Sequence, residues 1–111
     1  MTDDTKTILQ LSALAQDTRL AVFRALMKAG PDGMAAGEIA TLLDVAPTTL
    51  SSHLGILNRS GLIDMRRNGR SLIYSANIEN VRGMLQVLVS DCCNGHPDVC
   101  AELEATANLG C

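Results

Sequence analysis

Apolar positions recur at helical spacing along most of this chain, and a few turn-forming clusters interrupt them. Residues 5–16, with Ile8, Leu9, Leu11 and Leu14, predict a first helix. Asp17 or Thr18 is placed to cap a second, running to about Ala29 through Leu20, Phe23, Leu26 and Met27. Gly30-Pro31-Asp32-Gly33 breaks it. Residues 35–43 predict a short third helix with Ile39, Leu42 and Leu43 inward, and Asp44-Val45-Ala46 is a tight connector. Pro47 suits the first turn of a fourth helix, where its missing N–H costs nothing, and Gly61 suits its C-terminal cap. Along that helix Leu50, Leu54 and Leu57 recur at i, i+4 and i+7, a narrow apolar stripe. Thr48, Ser52 and Arg59 fall on the opposite side, a small, polar, basic face, and His53 lies about 60° off the stripe.

The period then changes. Leu62–Arg67 and Ser71–Ser75 read as two strands around Asn68-Gly69, a strong hairpin signal, with Arg66, Arg67 and Arg70 near the tip. From Ile78 to about Ser90 the spacing of Val81, Met84, Leu85 and Leu88 is helical again, and Asn94-Gly95 followed by Pro97 stops it. Two short helices joined by a three-residue turn and followed by a basic hairpin predict a mainly α fold with a β-hairpin wing, a winged helix-turn-helix. At 111 residues it is a single domain, with a core at about 8–76 and a helix and tail at 77–111.

Composition adds a partner. Phe23 and Tyr74 are the only aromatics in a chain that is 47% hydrophobic, and a core so thin in aromatics often gains burial through a dimer interface. The N-terminus has no basic stretch leading into an apolar run, and no segment reaches the ~20 apolar residues that span a bilayer. The expectation is a cytoplasmic protein without membrane contact. The net charge of −3 hides an asymmetry: residues 44–76 carry four arginines against two aspartates, while residues 77–111 carry five acids against Arg82. A mildly acidic protein binds nucleic acid when its basic residues share one face. Enzyme classes find little support, because there is no Gly-rich phosphate loop, and Ser52 and His53, as helix neighbours, point apart.

A DNA-reading helix needs short hydrogen-bonding side chains and positive charge on its outer face. Thr48, Thr49, Ser51, Ser52, His53 and Arg59 supply these, and Arg66, Arg67 and Arg70 would lie along the backbone or in the adjacent minor groove. The run Thr49-Leu50-Ser51-Ser52-His53-Leu54, then Leu57, then Ser60-Gly61-Leu62-Ile63, resembles the ArsR/SmtB family of metal-sensing repressors. So do Arg67-Asn68-Gly69-Arg70 with Tyr74, and Leu14-Ala15 with Arg19-Leu20 and Leu26. The resemblance implies a homodimeric winged-helix repressor on double-stranded operator DNA, paired through its first and last helices.

All four cysteines, Cys92, Cys93, Cys100 and Cys111, lie in the last twenty residues. In a reducing compartment such a cluster points to metal binding or redox chemistry rather than to a disulfide framework. The family's inducer sites at the start of the third helix and on the last helix have no counterpart here, since residues 35–39 lack cysteine and residues 77–91 lack histidine. What remains resembles arsenic repressors with vicinal C-terminal cysteines plus a third: Cys92, Cys93 and Cys100 as thiolates for As(III) or Sb(III), the inducer, with no cofactor required. Soft thiolates also suit Cd(II), Pb(II) or Zn(II), with His96 or Cys111 as further ligands, and thiol redox sensing is a third reading.

Overall fold

A computed structural model describes residues 2–89 of the chain. The tail carrying Cys92, Cys93, His96, Cys100 and Cys111, and the expected stop at Asn94-Gly95 and Pro97, lie outside the described residues. In chain order the elements are α1 (Thr2–Leu14), α2 (Asp17–Ala29), a 3-10 turn (Gly30–Asp32), β1 (Met34–Ala35), α3 (Ala36–Leu43), α4 (Pro47–Ser60), β2 (Ile63–Asn68), β3 (Ser71–Ala76) and α5 (Ile78–Val89). The order expected from periodicity is present. The first helix starts three residues earlier and ends two earlier than expected, and a third strand appears.

That strand is the two-residue β1, which pairs antiparallel with β3 through Met34 opposite Tyr74 and Ala35 opposite Ile73. The sheet order is β1-β3-β2. Gly33 makes the pairing reachable. Its φ is +71°, and a Cβ there would fall 2.2 Å from the Tyr74 carbonyl oxygen, so only glycine fits. The hairpin loop also differs by one position from the expected Asn68-Gly69. Asn68 pairs with Ser71, which leaves Gly69-Arg70 as the two-residue loop. Gly69 takes φ +65° at its first position, where a tight loop of this length demands glycine.

The core gathers Val22 and Leu26 from α2, Ile39 from α3, Leu50, Leu54 and Leu57 from α4, Leu62 and Ile63 at the entry to β2, and Tyr74 from β3. Each fully buried aliphatic side chain contributes about 1.5–3 kcal/mol, so the Leu50–Leu54–Leu57 stripe fixes which face of α4 turns inward. Capping sets the helix ends. Gln16, rather than Asp17 or Thr18, caps α2, its side chain accepting from the Arg19 N–H. Asn77 holds the first turn of α5, its Oδ1 accepting from the Asn80 N–H at 2.9 Å. Gly61 ends α4 in the left-handed region at φ +86°.

α1 is amphipathic in the wrong sense for a lone protomer. It buries Thr7, Gln10 and Ala13 against the body and exposes Ile8, Leu9 and Leu11, with Ile8 65% accessible. Neighbouring α5 buries Val81 and Met84 but exposes Leu85, Val87 and Leu88. No helix among the described residues is long and apolar enough to cross a membrane.

Candidate nucleic-acid interface

The sequence of α4 divides its surface by position. With Leu50, Leu54 and Leu57 buried, Thr48, Thr49, Ser51, Ser52 and Arg59 are all exposed. Pro47 starts the helix without wasting a donor, so the threonines and serines occupy its first two turns. Those N-terminal residues are the ones a recognition helix brings to base edges. α3 packs behind α4, and the Asp44-Val45-Ala46 connector turns the chain between them. Asp44 adopts φ 54°, and its N–H bonds the Ala40 and Thr41 carbonyls at the end of α3.

Arg59 does not extend freely. Its guanidinium lies back along the helix over Gly55, so close that a Cβ on Gly55 would sit 3.3 Å from Nη1. Gly55 is half-buried and lies on the flank of the outward face, three residues after Ser52 and four before Arg59. The face thus combines small hydroxyl side chains, a glycine notch and one cation laid along it.

His53 is placed differently from the other candidates. It is half-buried, and its Nδ1 lies 3.4 Å from Nη1 of Arg19 in α2. The position beside the apolar stripe follows from its spacing; the partner, thirty-four residues away in sequence, has no local signal.

The three wing arginines are all exposed but not equivalent. Arg66 donates from Nη2 to the Asp32 carbonyl at 2.9 Å, which ties β2 across the sheet to the 3-10 turn. Arg67 sits near the end of β2 and Arg70 in the loop, and neither has a hydrogen-bond or ion-pair partner among the described residues. The structure therefore places the exposed α4 face and the arginine hairpin on consecutive elements of one domain. Among the described residues no group of three or more His, Cys, Asp or Glu side chains is arranged to hold a metal.

Residues 14–66, from the end of α1 into β2, match a family model described as a helix-turn-helix domain. HlyU, a transcriptional activator of Vibrio cholerae, is 28% identical over 83 residues, covering 75% of this chain and 74% of its own. A protein of Halobacterium salinarum named as an arsenical resistance operon repressor, ArsR, is 38% identical over 68 residues, covering 61% of this chain and 52% of its own. The chain carries a helix-turn-helix domain and is similar to transcriptional regulators of the ArsR family. Solved structures agree on the architecture. Reduced HlyU from Vibrio cholerae superposes with a TM-score of 0.65 at 26% identity, covering 83% of this chain and 94% of that one. The homodimeric winged helix-turn-helix DNA-binding domain of Mb0332 from Mycobacterium bovis gives a TM-score of 0.64 at 26% identity, covering 83% and 85%. This protein is accordingly a transcriptional regulator with a winged helix-turn-helix fold, and its relatives are regulators rather than enzymes.

Sequence reasoning missed two members of this surface. Arg19 drew attention only as part of the family resemblance, and Gly55 not at all. A glycine inside a helix at ordinary helical φ is itself a signal, because alanine there favours the helix by roughly 1 kcal/mol.

Proposed function

We propose that this protein is a cytoplasmic repressor that binds operator DNA as a homodimer and releases it when As(III) or Sb(III) is bound by Cys92, Cys93 and Cys100. Thr48, Thr49, Ser51, Ser52, His53 and Arg59 read the major groove, and Arg66, Arg67 and Arg70 follow the backbone or the adjacent minor groove. The observation that carries the DNA reading is the exposed, small, polar and basic face of α4 beside an arginine-tipped wing.

Dimerisation through α1 and α5 is supported by their inverted surfaces. A helix that buries Thr7 and Gln10 while exposing Ile8, Leu9 and Leu11 gains stability when a second copy covers those aliphatics. The homodimeric state of the Mb0332 domain points the same way.

The inducer reading rests on thiol chemistry and on one relative named for arsenical resistance. Three thiolates around a pyramidal As(III) satisfy that soft ion, and vicinal Cys92 and Cys93 bring two sulfurs to one small centre. The ligands follow α5 in sequence, so drawing Cys100 toward Cys92 and Cys93 acts on the end of a dimerisation helix. A changed dimer geometry then alters the spacing of the two recognition helices, which a two-fold operator does not tolerate. Thiol oxidation is the second reading, favoured by similarity to HlyU, which has a solved structure described as reduced.

A mobility shift on a duplex covering the protein's own promoter tests both. Binding abolished by arsenite and restored by excess dithiol supports the first reading. Binding indifferent to arsenite but lost on mild oxidation supports the second, and no binding at all contradicts the DNA-reading role.

A further inference from the structure

Arg19 sits where three helices meet. It occupies the first turn of α2, and its backbone N–H is accepted by Gln16 Oε1 at 2.9 Å. Its Nε donates to the Ala13 carbonyl in the last turn of α1 at 2.6 Å. Its Nη1 reaches Nδ1 of His53 in α4 at 3.4 Å. A cation in the first turn opposes its own helix dipole, whereas the carbonyl end of α1 attracts it. Among the described residues its guanidinium meets no carboxylate, so its partners are a carbonyl and an imidazole.

Arginine has donors and no acceptor. The imidazole nitrogen facing it must therefore accept, which leaves Nδ1 bare and puts the ring proton on Nε2. His53 follows exposed Thr49 by four residues and so shares its side of α4. Base-edge N7, O6 and O4 atoms and phosphate oxygens are all acceptors, which a free Nε2–H complements.

We propose that Arg19 is a positioning residue for DNA reading: it fixes His53 in the Nε2–H tautomer and so makes that side chain a hydrogen-bond donor to the operator. Arg19 touches no DNA itself in this arrangement and acts through His53. The inference rests on the DNA-reading role proposed above and adds to it a residue outside α3 and α4, together with a defined protonation of the ring.

Two measurements test it. Long-range proton–nitrogen NMR on histidine-labelled protein reads the tautomer directly in the unmodified chain. A bare Nδ1 and protonated Nε2 are expected at His53, and the opposite tautomer overturns the proposal. The second is a double-mutant cycle with Arg19→Met and His53→Ala, read as affinity for a labelled promoter duplex at fixed salt. Each single change is expected to weaken binding on the order of tenfold, as loss of a hydrogen bond in each half-site implies. Arg19→Met is expected to cost nothing further once His53 is alanine. Additive losses, or an Arg19→Met loss that merely follows a falling melting temperature, overturn the proposal while leaving the DNA-reading role intact. Failure of the unmodified protein to bind the duplex removes that role, and the proposal with it.

Discussion

Asn80 donates from Nδ2 to the Gly61 carbonyl at 2.8 Å, joining the first turn of α5 to the cap that ends α4. The same side chain accepts from Lys6 Nζ of α1 at 3.2 Å through Oδ1. One asparagine thus ties both proposed dimer helices to the end of the recognition helix. Gly61 fits this contact closely: with φ +86°, an added Cβ would lie 3.0 Å from Asn80 Nδ2. Asn80→Ala is expected to cost about 1–2 kcal/mol in chemical denaturation, because the half-buried Gly61 carbonyl loses its donor. It is also expected to narrow the ratio of operator affinities without and with arsenite. An unchanged ratio would show that coupling between tail and DNA runs by another route.

Gly55 separates stability from function. Gly55→Ala favours the helix by roughly 0.5–1 kcal/mol, and the group it crowds is the flexible end of Arg59. The melting temperature is expected to hold or rise while operator affinity falls several-fold, because the notch between Ser52 and Arg59 is filled. Affinity unchanged in the variant would mean that this part of α4 stands clear of the DNA.

The exposed aliphatics of α1 and α5 give a third prediction. Ile8→Glu and Leu88→Glu place charge on surfaces that are 65% and 51% accessible in the protomer. Each is expected to leave the helical circular dichroism spectrum intact and to shift sedimentation from dimer to monomer. Operator affinity falls at the same time, because two half-sites are no longer held together. Persistent dimers in both variants would place the subunit contact elsewhere.

Much of the fold was legible because its signals are local. The Leu50–Leu54–Leu57 stripe, Pro47 and Gly61 place α4 from sequence alone, and the exposure of Thr48, Ser52 and Arg59 follows from the stripe. The features that periodicity could not supply depend on distant partners. Met34–Ala35 is too short to show alternation, and it forms a strand only because Gly33 lets the chain approach Tyr74. Gln16 is an unusual cap, and its longer side chain carries no standard N-cap signal. The Arg19–His53 contact and the tie from Arg66 to the Asp32 carbonyl each bridge thirty-four residues. The thiol cluster was legible as chemistry, from residue type and spacing, and its ligands lie outside the described residues.

The tail cysteines give a fourth prediction. Cys92→Ser, Cys93→Ser and Cys100→Ser are each expected to keep operator binding and to lose the arsenite response, whereas Cys111→Ser keeps both. A response surviving Cys100→Ser would indicate a two-thiol site formed by Cys92 and Cys93. Mixed dimers of Cys92→Ser with Cys100→Ser distinguish a site within one chain from one shared between chains. Recovery of a response in the mixture would show that the ligands come from both subunits.

The most direct test of the central claim is fluorescence anisotropy of a labelled promoter duplex titrated with the reduced protein, then with arsenite. The account predicts tight, salt-sensitive binding of a dimer and its reversal near one arsenite per subunit, with an effect of roughly 5–150-fold on affinity from a coupling of about 1–3 kcal/mol. Tight binding that arsenite leaves unchanged would contradict the sensor assignment, and absence of binding would contradict the DNA-reading surface on α4.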